Sequence, residues 1–442
     1  MNAIPVIAVF DIGKTNKKCF LFDEHYRIVL ERSQSFPETT DEDGDACEDL
    51  VLLTGWIRQV FDEICSIRDT SIRALNVTAY GASLVHIDQA GNPVTPLYNY
   101  LKPYPQKLQD DLYARYGGEE AFTLATASPV LGSLNSGMQL YRLRREKPEV
   151  FSKIFYSLHL PQYLCYLFTQ KACSDLTSIG CHTTLWDFAR KEYHTWVTRE
   201  GIMEKLAPVV SHDMASAVWK NETAIRAGIG LHDSSAALIP YLSAFTEPFL
   251  LISTGTWCIS LNPFNDTPLT SSELKMDALC YLAYDGRPVK ASRLFAGHIH
   301  ETAVKIMADH FHVAADNYKS IAFDHSWLGS AGKKPFIAGD LSTFHSYSDA
   351  YHSLIQSIID QQRTSSLLVI GNVKRIFVDG GFAGNPVYMH LLADSFPHHE
   401  VYAASVSQAT AVGAALVMHH RWNEHALPGD LVSLKYYSAK HH

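Results

Sequence analysis

The sequence lacks an excess of basic residues and has no long apolar run. Its 442 residues contain 37 Lys and Arg against 46 Asp and Glu, a formal net charge of -9 at pH 7. Without a general positive field, the chain is not expected to bind nucleic acid through phosphate neutralisation. No apolar run approaches the ~20 residues that span a bilayer, so membrane insertion is not expected either.

Paired cysteine motifs are also missing. The eight cysteines form no C-x-x-C pair, and a chain of this length does not need disulfides to fold, so we expect a cytoplasmic protein. What is present is apolar material for large cores, with 47% hydrophobic and 19% charged residues. Two glycine-containing turns, at 11–16 and at 253–256, lie about 240 residues apart. This separation and the length of the chain predict two lobes, residues 1–244 and 245–442.

Strand and turn patterns repeat along the chain. An apolar run at 4–10 leads into Asp-Ile-Gly-Lys-Thr-Asn at 11–16, and a second run at 19–22 completes a predicted hairpin. The pattern returns at 249–261 around Ser-Thr-Gly-Thr, which predicts a duplicated domain, each copy a mixed sheet with helices on its faces. Two unrelated hairpins are the alternative on this feature alone. A further local hairpin is predicted at 84–93.

The first glycine turn is a candidate phosphate site, although it is not a P-loop, because a strand follows it where a P-loop requires a helix. A hairpin turn can still bind phosphate through backbone amides, a hydroxyl group and a nearby cation. The cation would be Lys14 or Lys17. The residues that we assign to phosphate binding are Gly13, Lys14, Thr15 and Asn16.

Two later segments complete a candidate nucleotide site. Gly255 and Thr256 would bind phosphates from the opposite lobe. A strand at 375–378 leads into Asp-Gly-Gly-Phe-Ala-Gly-Asn, and the strand-to-helix junction there suits the adenosine of a nucleotide. The adenosine residues would be Gly380, Gly381 and Asn385. Small residues in the helix predicted at 407–419 permit close backbone approach.

Two aspartates are candidates for the chemistry. Asp233 lies where a glycine-rich turn meets a predicted helix, so it could accept a proton from a hydroxyl group, or it could be a helix N-cap. Asp11 ends the first strand and could hold Mg²⁺ through water, or it could simply form an Asx-type turn. The histidines at 298, 300, 310 and 312 are expected to be ordinary surface or core residues.

These motifs, in this order, resemble the FGGY carbohydrate kinases over nearly the whole chain. The resemblance implies a two-lobed α/β structure, the duplicated ribonuclease H-like fold of the actin-like ATPases, with mixed sheets flanked by helices. It also implies an ATP-dependent sugar kinase. In such an enzyme Mg²⁺ would lie near Asp11, and Asp233 would be the catalytic base. The sequence departs from the family pattern at Lys14, where Thr is usual, and at Lys18, where Arg is usual.

The segments His-Asp-Ser-Ser-Ala at 232–236 and Thr-Ser-Ile-Gly-Cys-His-Thr-Thr-Leu-Trp at 177–186 resemble the rhamnulose and fuculose kinase-like branch. That branch implies a ketose substrate such as the 6-deoxyketoses L-rhamnulose or L-fuculose. The alternatives are another ketose or polyol such as xylulose, an actin-like or chaperone-like ATPase without a sugar, and a sugar sensor. The oligomeric state stays open, a homodimer included. The implied sugar contacts are Ala82, Ser83, Asn99, Tyr100, Asn135, Gln139 and His182.

Overall fold

Two seven-stranded mixed sheets organise the protein. The computed structural model describes residues 3–220, 223–329, 336–337 and 340–438. Before residue 245, the strands are β1 (Ile4–Ile12), β2 (Lys17–Phe22), β3 (Ile28–Gln34), β4 (Thr39–Thr40), β5 (Ala46–Cys47), β6 (Thr70–Ala79), β7 (Leu84–Ile87), β8 (Tyr156–His159), β9 (Trp186–Asp187), β10 (Glu192–Tyr193), β11 (Ser216–Lys220), β12 (Thr223–Ala227) and β13 (Leu231–His232). The helices there are α1 (Leu50–Cys65), α2 (Gln106–Arg115), α3 (Glu119–Thr126), α4 (Ser136–Glu146), α5 (Pro148–Lys153), α6 (Leu160–Thr169), α7 (Leu176–Ile179), α8 (Thr195–Arg199) and α9 (Asp233–Ala244).

The second part of the chain has its own sheet and helices. Its strands are β14 (Phe249–Thr254), β15 (Cys258–Asn262), β16 (Ala278–Leu282), β17 (Pro288–Leu294), β18 (Arg375–Gly380), β19 (Glu400–Ser405) and β20 (Ser433–Tyr437). Its helices are α10 (Ser271–Lys275), α11 (Ala296–Phe311), α12 (Tyr347–Leu367), α13 (Pro386–Ser395), α14 (Ala409–Val417) and α15 (His419–Trp422). No helix within the described ranges is both long and apolar enough to cross a membrane.

The first sheet places three strand ends together. Its order is β11–β12–β6–β1–β2–β3, with β13 also paired to β6. β1 runs antiparallel to β2 and parallel to β6, and β13 is parallel to β6 as well. The register pairs Asp11 and Leu231 with the same residue of β6, Thr78. The carboxyl ends of β1, β6 and β13 therefore meet at one edge, where Asp11 and Asp233 lie.

The second sheet repeats this plan. Its order is β16–β17–β15–β14–β18–β19–β20. β14 and β15 form an antiparallel hairpin, β14 pairs in parallel with β18, and β18 pairs in parallel with β19. In each sheet, the first strand of a glycine-turn hairpin thus pairs in parallel with a strand from much later in the chain. The predicted duplication is confirmed.

Helices α9 and α14 pack against each other between the two sheets. One hydrophobic core contains Val9 and Phe20 of the first sheet, Leu251 of the second, and buried residues of both helices. α14 also contacts β1 and β6, although it comes from the second part of the chain. The two helices approach closely at Gly413, where a Cβ atom would lie 1.9 Å from the carbonyl oxygen of Ala236. The predicted close approach of this helix is confirmed.

The hairpin predicted at 84–93 is confirmed only at its turn, because the main partner of its first strand lies elsewhere in the chain. β7 pairs antiparallel with β8, more than sixty residues later, with Leu84 opposite His159. The local turn is closed by hydrogen bonds from the Asp88 amide to the Asn92 carbonyl and from the Val94 amide to the His86 carbonyl, each at 2.9 Å, with an isolated bridge between Ile87 and Pro93. All four residues of β7 are buried. Pro93 and Pro96 follow the turn and have no amide hydrogen to donate, so this segment cannot continue a regular ladder beside β7.

Candidate active site

A cavity of about 520 Å³ lies beside the ends of β6 and β13. We call it the sugar cavity, after the ligand that the sequence predicts. Both parts of the chain contribute to its wall. The lining residues are Tyr80, Gly81, Ala82, Tyr100, Leu101, Lys102, Pro103, Tyr104, Leu131, Gly132, Ser133, Leu134, His182, His232, Ser234, Trp257, Ile259, Tyr281 and Arg293.

Asp233 follows β13 directly and lies between two lining residues of the sugar cavity. Its Oδ1 accepts a hydrogen bond from the backbone amide of Ser234 at 2.6 Å and lies 3.2 Å from Nε2 of His232. The Asp233 side chain is 33% exposed, so a ligand can reach it. Burial lowers the pKa of His232, which keeps this imidazole neutral near pH 7. A fixed carboxylate at a cavity edge can accept a proton from a hydroxyl group.

The alternative of Asp233 as a helix N-cap does not hold. α9 begins at Asp233 itself, so the cap position belongs to His232, whose side chain makes no capping hydrogen bond. Among the described residues ahead of it in the helix, the Asp233 carboxylate bonds only to Ser234, through the amide and the hydroxyl of that residue. A capping side chain would bond two or three residues ahead.

Asp11 lies close enough to Asp233 for their charges to interact. Burial, together with the charge of Asp233, raises the pKa of Asp11 to about 7, and the Lys18 ammonium opposes this rise. Lys18 is the residue opposite Asp11 in the β1–β2 register. A divalent cation would bind well here, because it would relieve the repulsion between two neighbouring carboxylates. In proteins, Mg²⁺ commonly binds one or two carboxylates together with substrate phosphates and water. The residues present therefore fit Mg²⁺.

The first glycine turn is closed by a hydrogen bond from the Gly13 amide to the carbonyl of Asn16, at 3.0 Å. Thr15 and Asn16 are exposed at its tip. The assignment of Lys17 to phosphate binding is wrong, because its buried ammonium binds Glu48 at 2.7 Å and the carbonyl of Lys14 at 2.9 Å.

The Lys14 side chain extends toward the sugar cavity. Its Nζ lies 2.8 Å from Glu38 Oε1 and 5.8 Å from the ring centroids of both Tyr80 and Tyr100. Both tyrosines line the cavity. In this structure Glu38 and two aromatic faces bind the Lys14 ammonium. Its contact with nucleotide phosphates stays a prediction.

A second cavity, of about 380 Å³, joins the second glycine turn to the late glycine motif. We call it the nucleotide cavity. Three of the predicted nucleotide residues line it, and the lining residues are Thr254, Gly255, Gly297, His300, Tyr318, Lys319, Gly381, Phe382, Gly384, Asn385 and Pro386. The predicted residue Thr256 is exposed beside Gly255. Its carbonyl accepts a hydrogen bond from the backbone amide of His298 at 3.3 Å.

Close backbone contacts shape this second site. A Cβ atom at Gly380 would lie 2.0 Å from the carbonyl oxygen of Thr254, and one at Gly297 would lie 1.9 Å from that of Gly255. Gly380 also has a φ of +86°, which favours glycine. Gly297 belongs to the first turn of α11, so the positive end of that helix dipole approaches the second glycine turn. Such an arrangement can stabilise phosphate charge.

Asn385 reaches the nucleotide cavity, but its side chain is already bonded within the protein. Its Oδ1 accepts hydrogen bonds from the amides of Val387 and Tyr388, so that it caps α13. Its Nδ2 donates to the Tyr351 hydroxyl at 2.7 Å. Asn385 therefore positions the helix at the cavity edge.

Three of the seven implied sugar contacts, Ala82, Tyr100 and His182, line the sugar cavity. Asn135 and Gln139 lie behind the wall. Asn135 Nδ2 donates to the carbonyl of His182 at 2.7 Å, and Gln139 Nε2 donates to that of Ala82 at 2.8 Å. These two amides hold the backbone of lining residues, so the structure does not place them as direct contacts.

Ser83 and Asn99 do not reach the sugar cavity wall either. Ser83 is almost fully buried, and its carbonyl accepts the amide of Leu160. Asn99 Nδ2 donates to Glu38 Oε1 at 3.2 Å, and its Oδ1 accepts the amide of Leu101. Polar side chains in loops were a poor guide here because they serve the loops themselves.

Sequence reasoning missed the contributions of the second part of the chain to the sugar cavity, namely Trp257, Ile259, Tyr281 and Arg293. Trp257 directly follows the second glycine turn, and this adjacency could have identified it. Tyr281 lies on β16 and Arg293 on β17, and nothing in their local sequence marks them. Only the pairing of β15 with β17 and of β17 with β16 brings these residues to the cavity.

Family comparison agrees with this geometry. The family model described as "FGGY family of carbohydrate kinases, N-terminal domain" matches residues 6–239, and "Carbohydrate kinase FGGY, C-terminal domain" matches residues 246–426. The two matches cover most of the chain. The protein belongs to the FGGY family of carbohydrate kinases.

Individual relatives are distant. The chain is 26% identical over 280 residues to a rhamnulokinase of Mannheimia succiniciproducens, covering 57% of this chain and 54% of that protein. It is 20% identical over 258 residues to a rhamnulokinase of Halalkalibacterium halodurans, covering 56% and 54%. The chain thus spans about half the length of the curated relatives it matches.

Solved structures share the fold over nearly the full chain. A carbohydrate kinase from Novosphingobium aromaticivorans superposes with a TM-score of 0.79 at 23% identity, over 98% of this chain and 96% of that one. A xylulose kinase from Lactobacillus acidophilus gives 0.78 at 17% identity, over 98% and 94%. The predicted fold class, the duplicated α/β fold of the actin-like ATPases, is confirmed.

Proposed function

We propose that this protein is an ATP-dependent sugar kinase, which transfers the γ-phosphoryl group of ATP to a hydroxyl group of a ketose. The observation that carries the proposal is the position of Asp233. Its two neighbours in the chain, His232 and Ser234, line the sugar cavity, and its charge acts on the carboxylate of Asp11, which ends the strand before the first glycine turn. An acceptor hydroxyl and a donor phosphate could both reach this point.

In the proposed reaction, Asp233 accepts the proton of the attacking hydroxyl. The Ser234 amide holds Oδ1 at 2.6 Å, and within the described residues Oδ2 has no hydrogen-bond partner, which leaves it available to the sugar. Neutral His232 approaches Oδ1 as well, with its Nε2 at 3.2 Å. These contacts fix the orientation of the base before the sugar binds, which reduces the ordering required at the transition state.

The two glycine turns would bind the phosphates. Amides of residues 13–16 would act from the first sheet, and those of Gly255 and Thr256 from the second, with the α11 N-terminus behind them. Mg²⁺ held by Asp11 would neutralise phosphate charge. We place adenosine in the nucleotide cavity, where His300 and Tyr318 supply aromatic surface beside Gly381.

For the substrate, we propose a 6-deoxyketose such as L-rhamnulose or L-fuculose. The curated relatives named above are rhamnulokinases. One part of the sugar cavity wall is apolar, formed by Leu101, Pro103, Leu131 and Leu134, and such a surface suits a methyl group better than a hydroxyl. A cytoplasmic location is proposed as well, since all eight cysteines are unpaired.

A coupled assay of ADP release tests the function. The panel is L-rhamnulose, L-fuculose, D-xylulose and glycerol, each at saturating ATP with Mg²⁺. At least one ketose should raise ADP release well above the rate without sugar. A flat panel with rapid basal hydrolysis would favour an actin-like or chaperone-like ATPase, and a response to D-xylulose alone would reject the 6-deoxyketose.

A further inference from the structure

The second sheet contributes a buried cation to the sugar cavity. Arg293 lies near the end of β17, is only 8% exposed, and lines the cavity together with His182 of the first part of the chain. Burial lowers the pKa of His182, and the Arg293 charge adds to this effect. A buried cation in a sugar pocket requires a partner, and the structure supplies one.

Asp277 holds one edge of the Arg293 guanidinium. Nε donates to Oδ2 at 3.2 Å and Nη2 donates to Oδ1 at 2.6 Å, a bidentate pair. Trp257 covers one face, with Cζ 5.3 Å from the ring centroid. A guanidinium has five N–H groups, and this arrangement uses two of them. Within the described part of the chain, neither hydrogen on Nη1 has an acceptor.

The other cation in the sugar cavity wall is not free in this way. Lys102 is bound by Asp41 and lies 2.8 Å from Asp43 and 3.2 Å from Asp45. Three carboxylates therefore surround a single ammonium, whose donors already have acceptors. Arg293 is thus the cation in this wall whose remaining hydrogen-bonding capacity can be used by a ligand.

We propose that Arg293 is a sugar-binding residue that determines specificity from the second sheet; this inference rests on the proposed kinase function. The free edge of the guanidinium carries one N–H of Nη1 and one of Nη2, parallel to each other. It matches two oxygens on adjacent carbons of a sugar, such as neighbouring hydroxyl groups. Because Asp277 already balances the charge, the ligand that fits is a neutral sugar.

Arg293 also connects the two substrates. Trp257, which stacks on the guanidinium, directly follows the Gly255–Thr256 phosphate turn. A sugar bound to Arg293 would therefore restrain the turn that receives the phosphates. Removing the guanidinium should weaken sugar binding strongly and ATP binding only slightly, because backbone hydrogen bonds hold the turn itself, from the Gly255 amide to the Trp257 carbonyl and from the His298 amide to the Thr256 carbonyl.

Two substitutions test the assignment. Arg293→Lys keeps the charge and loses the planar fork, and Arg293→Met keeps much of the volume and loses both. Each should raise the KM for the sugar about tenfold or more, with the KM for ATP changed less than threefold. The ratio of kcat/KM between L-rhamnulose, L-fuculose and D-xylulose should change as well. Equal losses for all three sugars with a lowered melting temperature would overturn the assignment, since they would show a purely structural role.

A matched control and a binding measurement complete the test. Arg287 forms a similar pair with Asp285 at 2.6 Å, but it is half-exposed and lies outside the cavity, so Arg287→Met should leave every constant unchanged. Calorimetry with the same sugars, without ATP, should show binding weakened by Arg293→Met. If Arg293→Met weakens sugar binding but the wild type transfers no phosphoryl group, the kinase function is refuted and the sugar-binding role of Arg293 is supported. Unchanged sugar binding would overturn the role of Arg293 and leave the kinase function intact.

If Arg293→Met folds poorly, the double variant Arg293→Met/Asp277→Asn removes the carboxylate charge that the single variant leaves unpaired. A folded double variant should show the same weakened sugar binding. Wild-type affinity in that protein would overturn the proposal.

Discussion

At the scale of single residues, the charge state of Asp11 depends on its surroundings. Burial and the nearby Asp233 raise its pKa from 3.8 to about 7. Protonation is therefore favoured in the folded state, and this carboxyl group makes stability fall as the pH rises from about 4 to about 7. The cost of the charge is fully present above pH 7, where a bound cation would relieve it.

We expect Asp11→Asn to be more stable than the wild type at pH 8, in protein free of nucleotide and Mg²⁺. The difference should be roughly 1–3 kcal/mol, since one pKa unit corresponds to about 1.36 kcal/mol and solvent at the cleft screens part of the interaction. It should vanish near pH 4. Urea unfolding at both pH values measures it, with Asp309→Asn at an exposed position of α11 as control. A difference independent of pH would contradict the raised pKa.

Lys14 gives a second prediction at this scale. Its ammonium binds Glu38 and lies over two tyrosines of the sugar cavity, so its charge acts mainly on the sugar side. Lys14→Met should raise the KM for the sugar severalfold and change the KM for ATP less. Steady-state kinetics with each substrate varied in turn would decide. A selective rise in the KM for ATP would show that the ammonium moves to the phosphates when nucleotide binds.

At the scale of elements, the first hairpin is held to its surroundings by a buried ion pair. Lys17 on β2 is 1% exposed, and its ammonium contacts Glu48 at 2.7 Å. Glu48 also accepts the hydroxyl of Tyr80 at 3.0 Å. Through the carbonyl of Lys14, the same lysine binds the glycine turn itself. One pair of charges thus connects the candidate phosphate turn to the sugar cavity wall.

Lys17→Met should reduce the free energy of unfolding by about 3–5 kcal/mol, because it leaves Glu48 buried without its cation. Adding Glu48→Gln should recover part of the loss. Urea titrations of the single and double variants measure this coupling. The exposed pair of Arg32 and Glu63 is the control, and Arg32→Met should cost less than about 1 kcal/mol. A double variant less stable than Lys17→Met would contradict this account.

Elements with local signals were predictable from the sequence. Both hairpins, α1 and the helix at Pro386–Ser395 follow from apolar runs, glycine turns and helical spacing. The partner of β7 was not predictable, because strand pairing across more than sixty residues has no local signal. The same reason explains why Arg293 was missed, and why Asn135, predicted at the sugar, proved to be committed to neighbouring backbone.

At the scale of the whole molecule, α9 and α14 connect the two sheets. α9 begins with Asp233, and α14 packs on it through Gly413. The candidate base is therefore carried by a helix whose position depends on both parts of the chain. Small residues in α14 make this contact possible, and a larger side chain there would push the helices apart.

Gly413→Ala should destabilise the protein by roughly 1–3 kcal/mol, because the new methyl group would overlap the carbonyl of Ala236. Gly55→Ala is the matched control. Gly55 is exposed within α1, and no atom of the described residues lies within 4 Å of its would-be Cβ, so alanine there should stabilise by about 0.5–1 kcal/mol through helix propensity. Thermal and urea unfolding would show opposite signs. Equal effects would mean that the α9–α14 contact is not tight.

The role of Asp233 is the central claim, and Asp233→Asn tests it most directly. Asparagine keeps an oxygen for the Ser234 amide, and Asp233 does not cap α9, so the fold and melting temperature should be unchanged. The measurement is the rate of sugar phosphate formation at saturating ATP and sugar, beside the wild type. We expect it to fall by roughly a hundredfold to ten-thousandfold, as for the loss of a general base. Near-normal turnover by a normally folded variant would contradict the account.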